Sequence, residues 1–316
     1  MSAAAAIQLA QAILVVLIAP LFAGWVNQCR AWLQNRRGPG LLQPYRVLRK
    51  LFHKDAVVAH RASLLFRSTP YIRFGCMVLA AVIIPTLATG LTVSPAADVI
   101  ALVGIFALAR VFMALAAMDI GTAFGSMGAR REMLVAFLAE PALLMVFFTP
   151  ALISQSTSLS TIVHTLAHQH FIIHPGLAFA AIAFLMVLLA ENARIPIDNP
   201  ATHLELTMIH EALMLEYSAR HLALMDWASN LKLLAYTTIG LALFAPWGIA
   251  RTIDGPALWL ALASLPVKLA VAGAALALLE TLSAKLRIFR APEFLAMAFL
   301  LAVLGLLTHV LLEGAA

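Results

Sequence analysis

Apolar runs long enough to cross about 30 Å of hydrocarbon recur along the whole chain, near residues 3–26, 71–93, 97–118, 133–155, 175–191, 228–250, 256–284 and 294–313. A water-soluble core has no room for so much apolar chain, since 63% of the 316 residues are hydrophobic and only 11% are charged. Mean hydropathy is +0.95. The pattern predicts an all-α, polytopic integral membrane protein, one membrane domain over residues 1–316 with about eight transmembrane helices. The first run lacks a basic leader segment and is longer than the core of a signal peptide, so it is expected to be a retained span.

Charge placement gives an orientation, because short loops on the cytoplasmic side collect Lys and Arg. With the N-terminus outside, the inside loops hold ten basic residues between Arg30 and Arg73. They also hold Arg130 and Arg131; Arg194, Arg220 and Lys232; and Lys285, Arg287 and Arg290. These are 18 of the 21, leaving Arg251 outside and Arg110 and Lys268 within spans. In a bacterial cell the expected location is thus the inner membrane, with a periplasmic N-terminus. The basic excess is accounted for by this rule and gives no reason to expect nucleic-acid binding.

Several chemistries are excluded. Cys29 and Cys76 are two thiols where an iron–sulfur cluster takes four. The sequence shows no dinucleotide fingerprint, phosphate loop or nucleophile elbow. No catalytic residue, metal ligand set or cofactor is expected in this chain. His164, His168, His170 and His174 cluster in an outside loop, but without a nearby carboxylate or thiolate they read as loop histidines.

The most basic segment follows the first span. After Arg36, Arg37 and the turn Gly38-Pro39-Gly40, the stretch Leu41 to His53 places Leu41, Leu42, Tyr45, Leu48 and Phe52 three or four residues apart, with Arg46, Arg49 and Lys50 between them. Such spacing predicts an amphipathic helix lying in the cytoplasmic interface. Its basic face would meet lipid headgroups or an acidic partner.

Charged side chains at membrane depth cost about 2.5–3.5 kcal/mol each on insertion scales and point to function. Glu140 lies in the fourth run, followed by the helix-loosening Pro141. Lys268 and Glu280 share the seventh run but lie ~18 Å apart along a helix, so each is expected to need a partner elsewhere. Arg110 either pairs or reaches toward the inside edge. Then comes "ENARIPIDNPATHLELTMIHEALMLEYSARH", residues 191–221. Its prolines predict a stiff connection, followed by a helix starting at Asn199 or at a Thr202–Glu205 capping box. Glu205 and Glu216, eleven residues apart, would share one face of that helix. Glu140, Glu191, Asp198, Glu205 and Glu216 thus form a candidate proton or ion path, with Lys268 and Glu280 as a candidate electrostatic relay in it. The alternative is a solvated face with Glu216 and Arg220 as an ordinary pair.

The motifs "NRRGPGLLQPYR", "MDIGTAFGSMGARREM" followed by "AEP", "ARIPIDNPATHLELTMIHEALMLEYS", "PVKLA" and "RIFRAPEF" occur in this order. Over essentially the whole chain the sequence resembles the membrane subunit shared by respiratory complex I and the energy-converting nickel–iron hydrogenases, among them formate hydrogenlyase subunit 4 and hydrogenase-4 component C. The resemblance implies an eight-span subunit that docks a hydrophilic redox arm and couples it to ion pumping. It implies as partners a hydrogenase-like large and small subunit, an iron–sulfur subunit and antiporter-like membrane subunits, with the nickel–iron centre and clusters on those partners. Arg36, Arg37, Gly38, Pro39, Arg46, Arg49, Arg130, Arg131 and Arg194 are the expected docking residues. Glu140, Glu191, Arg194, Pro196 and Asp198 resemble family positions, and Lys268 and Glu280 the polar pair of the hydrogenase branch.

The departures from the pattern favour that branch. Ile197 stands where Phe is usual, and Ala201 and His203 stand where quinone-reducing members carry glutamates. The stretch from Glu205 to Glu216 is three residues longer and expected to stay helical. The hydrogenase branch includes relatives whose large subunit has lost its metal. Rival readings are a quinone-site subunit of a complex I-like dehydrogenase, a passive membrane anchor and a stand-alone transporter, the last without the internal repeats such proteins often show.

Overall fold

The computed structural model describes residues 3–59, 62–90, 98–168, 175–194, 209–250, 255–284 and 290–313. Among them are eleven helices and no strand. They are α1 (Ala3–Leu33), α2 (Gln43–Phe52), α3 (Leu64–Ile83), α4 (Val99–Asp119), α5 (Ala123–Ser154), α6 (Leu159–His168), α7 (Pro175–Glu191), α8 (His210–Met214), α9 (Ala219–Phe244), α10 (Gly255–Leu282) and α11 (Ala291–Glu313).

Each apolar run carries a helix. By length and composition α1, α4, α5, α10 and α11 can cross a membrane, and α7 is apolar but shorter. The other two runs lie on α3, which carries Arg67 and Arg73, and α9, which carries Arg220, Asp226 and Lys232. Several ends differ from the runs for local reasons. α3 starts at Leu64, where Ser63 accepts a hydrogen bond from the Leu65 amide, and stops at Ile83 because Pro85 forces Ile84 into an extended conformation. α5 starts ten residues before its run, capped by Thr122, and its first turns bury Gly125, Gly128, Ala129 and Glu132 along one side. The added α6 buries Leu159, Ile162 and Val163.

α5 is the centre of one half, packed against α4, α7 and α11, while α9 packs against α3, α1 and α2, and α1 lies along α10. α7 and α11 approach at glycines: a Cβ at Gly176 would stand 2.5 Å from the Gly305 carbonyl oxygen, and one at Gly305 2.7 Å from that of Gly176. Small residues allow such backbone contact without side-chain interference.

The expected helix through Glu205 to Glu216 is corrected. Asp198, Glu205 and the rest of residues 195–208 lie outside the described residues, and α8 ends at Met214, leaving Glu216 exposed in the turn that follows. The break has a tertiary cause: Tyr217 stacks on Phe66 at 4.0 Å and its hydroxyl donates to the Phe66 carbonyl at 3.0 Å. Ala219 then takes a positive φ of 48° before α9 begins. Glu216 and Arg220 are therefore not one helical turn apart on a common face.

The basic segment folds back on the bundle. Gly40 N–H donates to Gln28 Oε1 at 3.1 Å, and the Tyr45 hydroxyl donates to the Leu17 carbonyl of α1. Leu48 is buried and Phe52 meets Trp227 edge-on, while Arg46, Arg49 and Lys50 stay exposed. Part of the apolar side expected to face lipid thus covers α1 and α9. The seat needs Gly24, whose added Cβ would lie 2.2 Å from the Leu41 carbonyl oxygen. Gly24→Ala is expected to destabilise it by about 1–3 kcal/mol and to speed trypsin cleavage after Arg36 and Arg37 in the solubilised protein. Unchanged cleavage would mean that the loop shifts freely.

Candidate functional site

Arg110, on the buried side of α4, is the centre of an ion-pair cluster. Its Nη1 lies 2.9 Å from Glu140 Oε1, its Nη2 pairs with Glu191 Oε2, and its Nε stands 3.4 Å from Glu132 Oε1. Glu132 and Glu140 are both on α5, about 12 Å apart along the axis. A planar guanidinium, with five donors in a fixed fork, can bridge that gap where a lysine could not. Lys232 of α9 completes the group, with Nζ 2.9 Å from Glu191 Oε2 and 2.7 Å from the Glu191 carbonyl oxygen.

Glu191 is sealed, with 1% of its side chain exposed, whereas Glu140 keeps 32%. The cluster therefore has an inner carboxylate locked between two cations and an outer one in contact with its surroundings. The Tyr236 hydroxyl faces Glu191 without meeting it in hydrogen-bond geometry, and Glu191 Oε1 also lacks a partner among the described residues.

Arg73 adjoins the cluster from α3. Its Nη2 lies 2.8 Å from His210 Nε2 and 3.0 Å from Ser229 Oγ. A cavity of about 20 Å³ separates the two groups, lined by Arg73, Arg110, Glu132, His210 and Lys232 with Met77, Phe106, Ala109 and Met113. That volume suits about one water. Counting Arg73, Arg110 and Lys232 against Glu132, Glu140 and Glu191, three cations face three carboxylates, so the buried group is formally neutral.

A second cluster surrounds Glu280 of α10, whose side chain is fully buried and pairs with Arg194 at 3.1 Å and Arg30 at 3.5 Å. The two clusters meet at the end of α7, where Glu191 belongs to the first and Arg194 to the second. The chain turns tightly between them, with Ala193 at a φ of 49° and the Arg194 amide donating to the Leu189 carbonyl at 2.9 Å.

The structure thus brings Glu140, Glu191, Arg194 and Glu280 into ion pairs, and leaves Glu216 outside on the surface. Lys268 donates at 2.7 Å to the carbonyl of Ala245, the residue that caps the C-terminal end of α9. Arg36, Arg37, Pro39, Arg46, Arg49 and Arg130 are exposed, and Gly38 is packed against Gln28. His164 lies on the exposed side of α6, whereas His170 and His174 lie outside the described residues.

Sequence reasoning missed three members, and of its two alternatives for Arg110 the structure shows the pairing one. Arg73 and Lys232 are not loop charges: both are buried in helices, and Lys232 already lay inside an apolar run. Glu132 stood in "MGARREM" beside two arginines that drew attention as loop residues. Arg110 does not extend to an edge, because its compensation is internal.

Comparison with known proteins agrees with this architecture. The chain is 34% identical over 285 residues to formate hydrogenlyase subunit 4 of Escherichia coli (strain K12), covering 90% of this chain and 92% of the relative. It is 36% identical over 250 residues to hydrogenase-4 component C of the same organism, covering 78% and 77%. In fold it is similar to a chain in the structure of the membrane-bound sulfane sulfur reductase, an archaeal respiratory membrane complex. The TM-score is 0.79 at 20% identity, over 95% of this chain and 97% of that one. Matched from residue 6 to residue 311, the chain belongs to the NADH dehydrogenase family.

Proposed function

We propose that the chain is a membrane-arm subunit of a redox-driven ion-translocating complex, which docks a hydrophilic, hydrogenase-like arm and couples its electron transfer to proton or sodium movement. The observation that carries this reading is the Arg110 cluster. Two cations and three carboxylates are drawn together from α4, α5, α7 and α9, within or beside helices apolar enough to cross a membrane. A passive anchor needs apolar helices and has no use for buried ions that replacement by apolar residues would often stabilise.

In this reading all eight apolar runs are spans, α2 lies at the cytoplasmic face of a bacterial inner membrane, and the N-terminus is periplasmic. The relatives' names, a subunit and a component, favour partner subunits in general, and in this reading those are a hydrogenase-like large and small subunit, an iron–sulfur subunit and antiporter-like membrane subunits. In this reading the metal centres sit on those partners, since two cysteines, Cys29 and Cys76, are too few to hold a cluster. Ions would pass between Glu140 and Glu191 and onward to Glu280, with Arg194 as the counter-charge of Glu280 and Asp198 and Glu205 as candidates in the intervening segment. Lys268 fits a helix-capping role better than a relay, since a cation at a helix C-terminus is stabilising.

Glu140→Gln keeps shape and hydrogen bonding but not ionisation. The expected outcome in sealed vesicles holding the whole complex is intact assembly, continued electron transfer to an artificial acceptor, and ion movement reduced about tenfold or more. Undiminished ion movement would make Glu140 structural. Docking is tested separately: reversing exposed Arg36 and Arg37 to glutamate is expected to release the hydrophilic arm while the chain still inserts. An arm that stays bound at physiological salt would remove both residues from the interface.

A further inference from the structure

A second cavity, of about 360 Å³, opens between α1, α2, α8 and α9 and carries polar side chains including Asn27, Glu211, Asp226 and Ser229. Among the described residues, His210 alone lines both this cavity and the small internal one beside Arg110 and Glu132. Arg73 reaches across from the inner side, its Nη2 held by His210 Nε2 at 2.8 Å and Ser229 Oγ at 3.0 Å, both on the wall between the two spaces. A guanidinium can only donate, so Nε2 accepts and the resting imidazole is neutral with its proton on Nδ1. Packing among protein atoms, with the charges of Arg73, Lys232 and Arg110, holds this ring well below the usual histidine range, although part of its surface stays open to the large cavity.

We infer that His210 passes protons between the outer cavity and the buried ion-pair cluster, with Arg73 as the latch that holds it closed. This rests on the proposed function and names the point at which its proton path meets the aqueous side. When Arg73 withdraws, Nε2 takes up one proton and Nδ1 gives one up on the other side; the ring is neutral again in the opposite tautomer, and rotation resets it. One proton enters and one leaves, with no redox change. The acceptors are at hand: Glu132 with the small cavity inward, Glu211 and Asp226 with the larger one outward.

The test uses the complete complex in sealed vesicles, with proton movement followed by a pH dye and electron transfer by an artificial acceptor. His210→Gln keeps an acceptor for Arg73 but cannot relay a proton. It is expected to assemble, to transfer electrons, and to move protons about a hundredfold more slowly, the low end of the effect of losing a proton-transferring group. His210→Ala is expected to recover with added imidazole, whereas His210→Gln is not. Proton movement by His210→Gln at the unmodified rate, failure of that variant to assemble, or no imidazole response in His210→Ala would overturn the role of His210 while leaving the proposed function standing. Absence of a gradient in the unmodified complex would overturn both, and a gradient carried by sodium alone would overturn the proton role.

Discussion

The Arg110 guanidinium, once buried, must be neutralised from all sides, and much of the bundle is arranged to do it. An uncompensated buried charge costs several kcal/mol, and removal of one partner from a buried pair typically destabilises by about 3–5 kcal/mol. α5 must therefore present Glu132 and Glu140 at the same level as Arg110, and α7 must end at Glu191. The ending is itself fixed, because Lys232 holds both the carboxylate and the carbonyl of Glu191. A helix terminus leaves carbonyls without partners, and here a side-chain cation satisfies one of them. The same turn then sends Arg194 toward Glu280.

This arrangement makes α7 the mechanical link between two charge groups. Movement of its last turn would alter Glu191 in one cluster and Arg194 in the other together, since only two residues lie between them. Coupling between sites requires an element whose equilibrium both can bias, and under the proposed function the end of α7 is where such an element would lie. The basic segment lies on the same molecular face. Gly40 is tied to Gln28, and Pro39, Gly40, Gln43, Pro44, Val47 and Leu48 line the large cavity. A partner seated on the exposed Arg46, Arg49 and Lys50 would bear on the cavity wall directly.

Much of this was legible in the sequence. The apolar runs found every long helix among the described residues, and the place of Lys268 and Glu280 within one run marked them as requiring partners. What the runs could not show was polar chain packed inside the bundle. Arg67, Pro70 and Arg73 lower the hydropathy of the first turns of α3, yet Arg73 is satisfied by His210 and Ser229. The opening of α5 reads as a loop until Gly125, Gly128 and Ala129 are seen as a narrow side for close packing. Glu216 failed for the opposite reason: the pattern from Met208 to Glu216 is helical, but the stacking of Tyr217 on Phe66 overrides local preference. Pairing between Arg110, Glu140 and Glu191, 30 and 81 residues apart, has no local signature.

Proton movement through the Arg110 cluster would change the protonation of its carboxylates as the complex turns over. Difference infrared spectroscopy of the assembled complex, in its oxidised and reduced states, observes this directly through the C=O stretch of protonated carboxyl groups. The expected result is a redox-linked band in that region, shifted in deuterium oxide, that disappears in Glu140→Gln while electron transfer continues. A fully coupled complex with no carboxyl difference band, or one whose band persists unchanged when Glu140, Glu132 and Glu191 are replaced in turn, would contradict it.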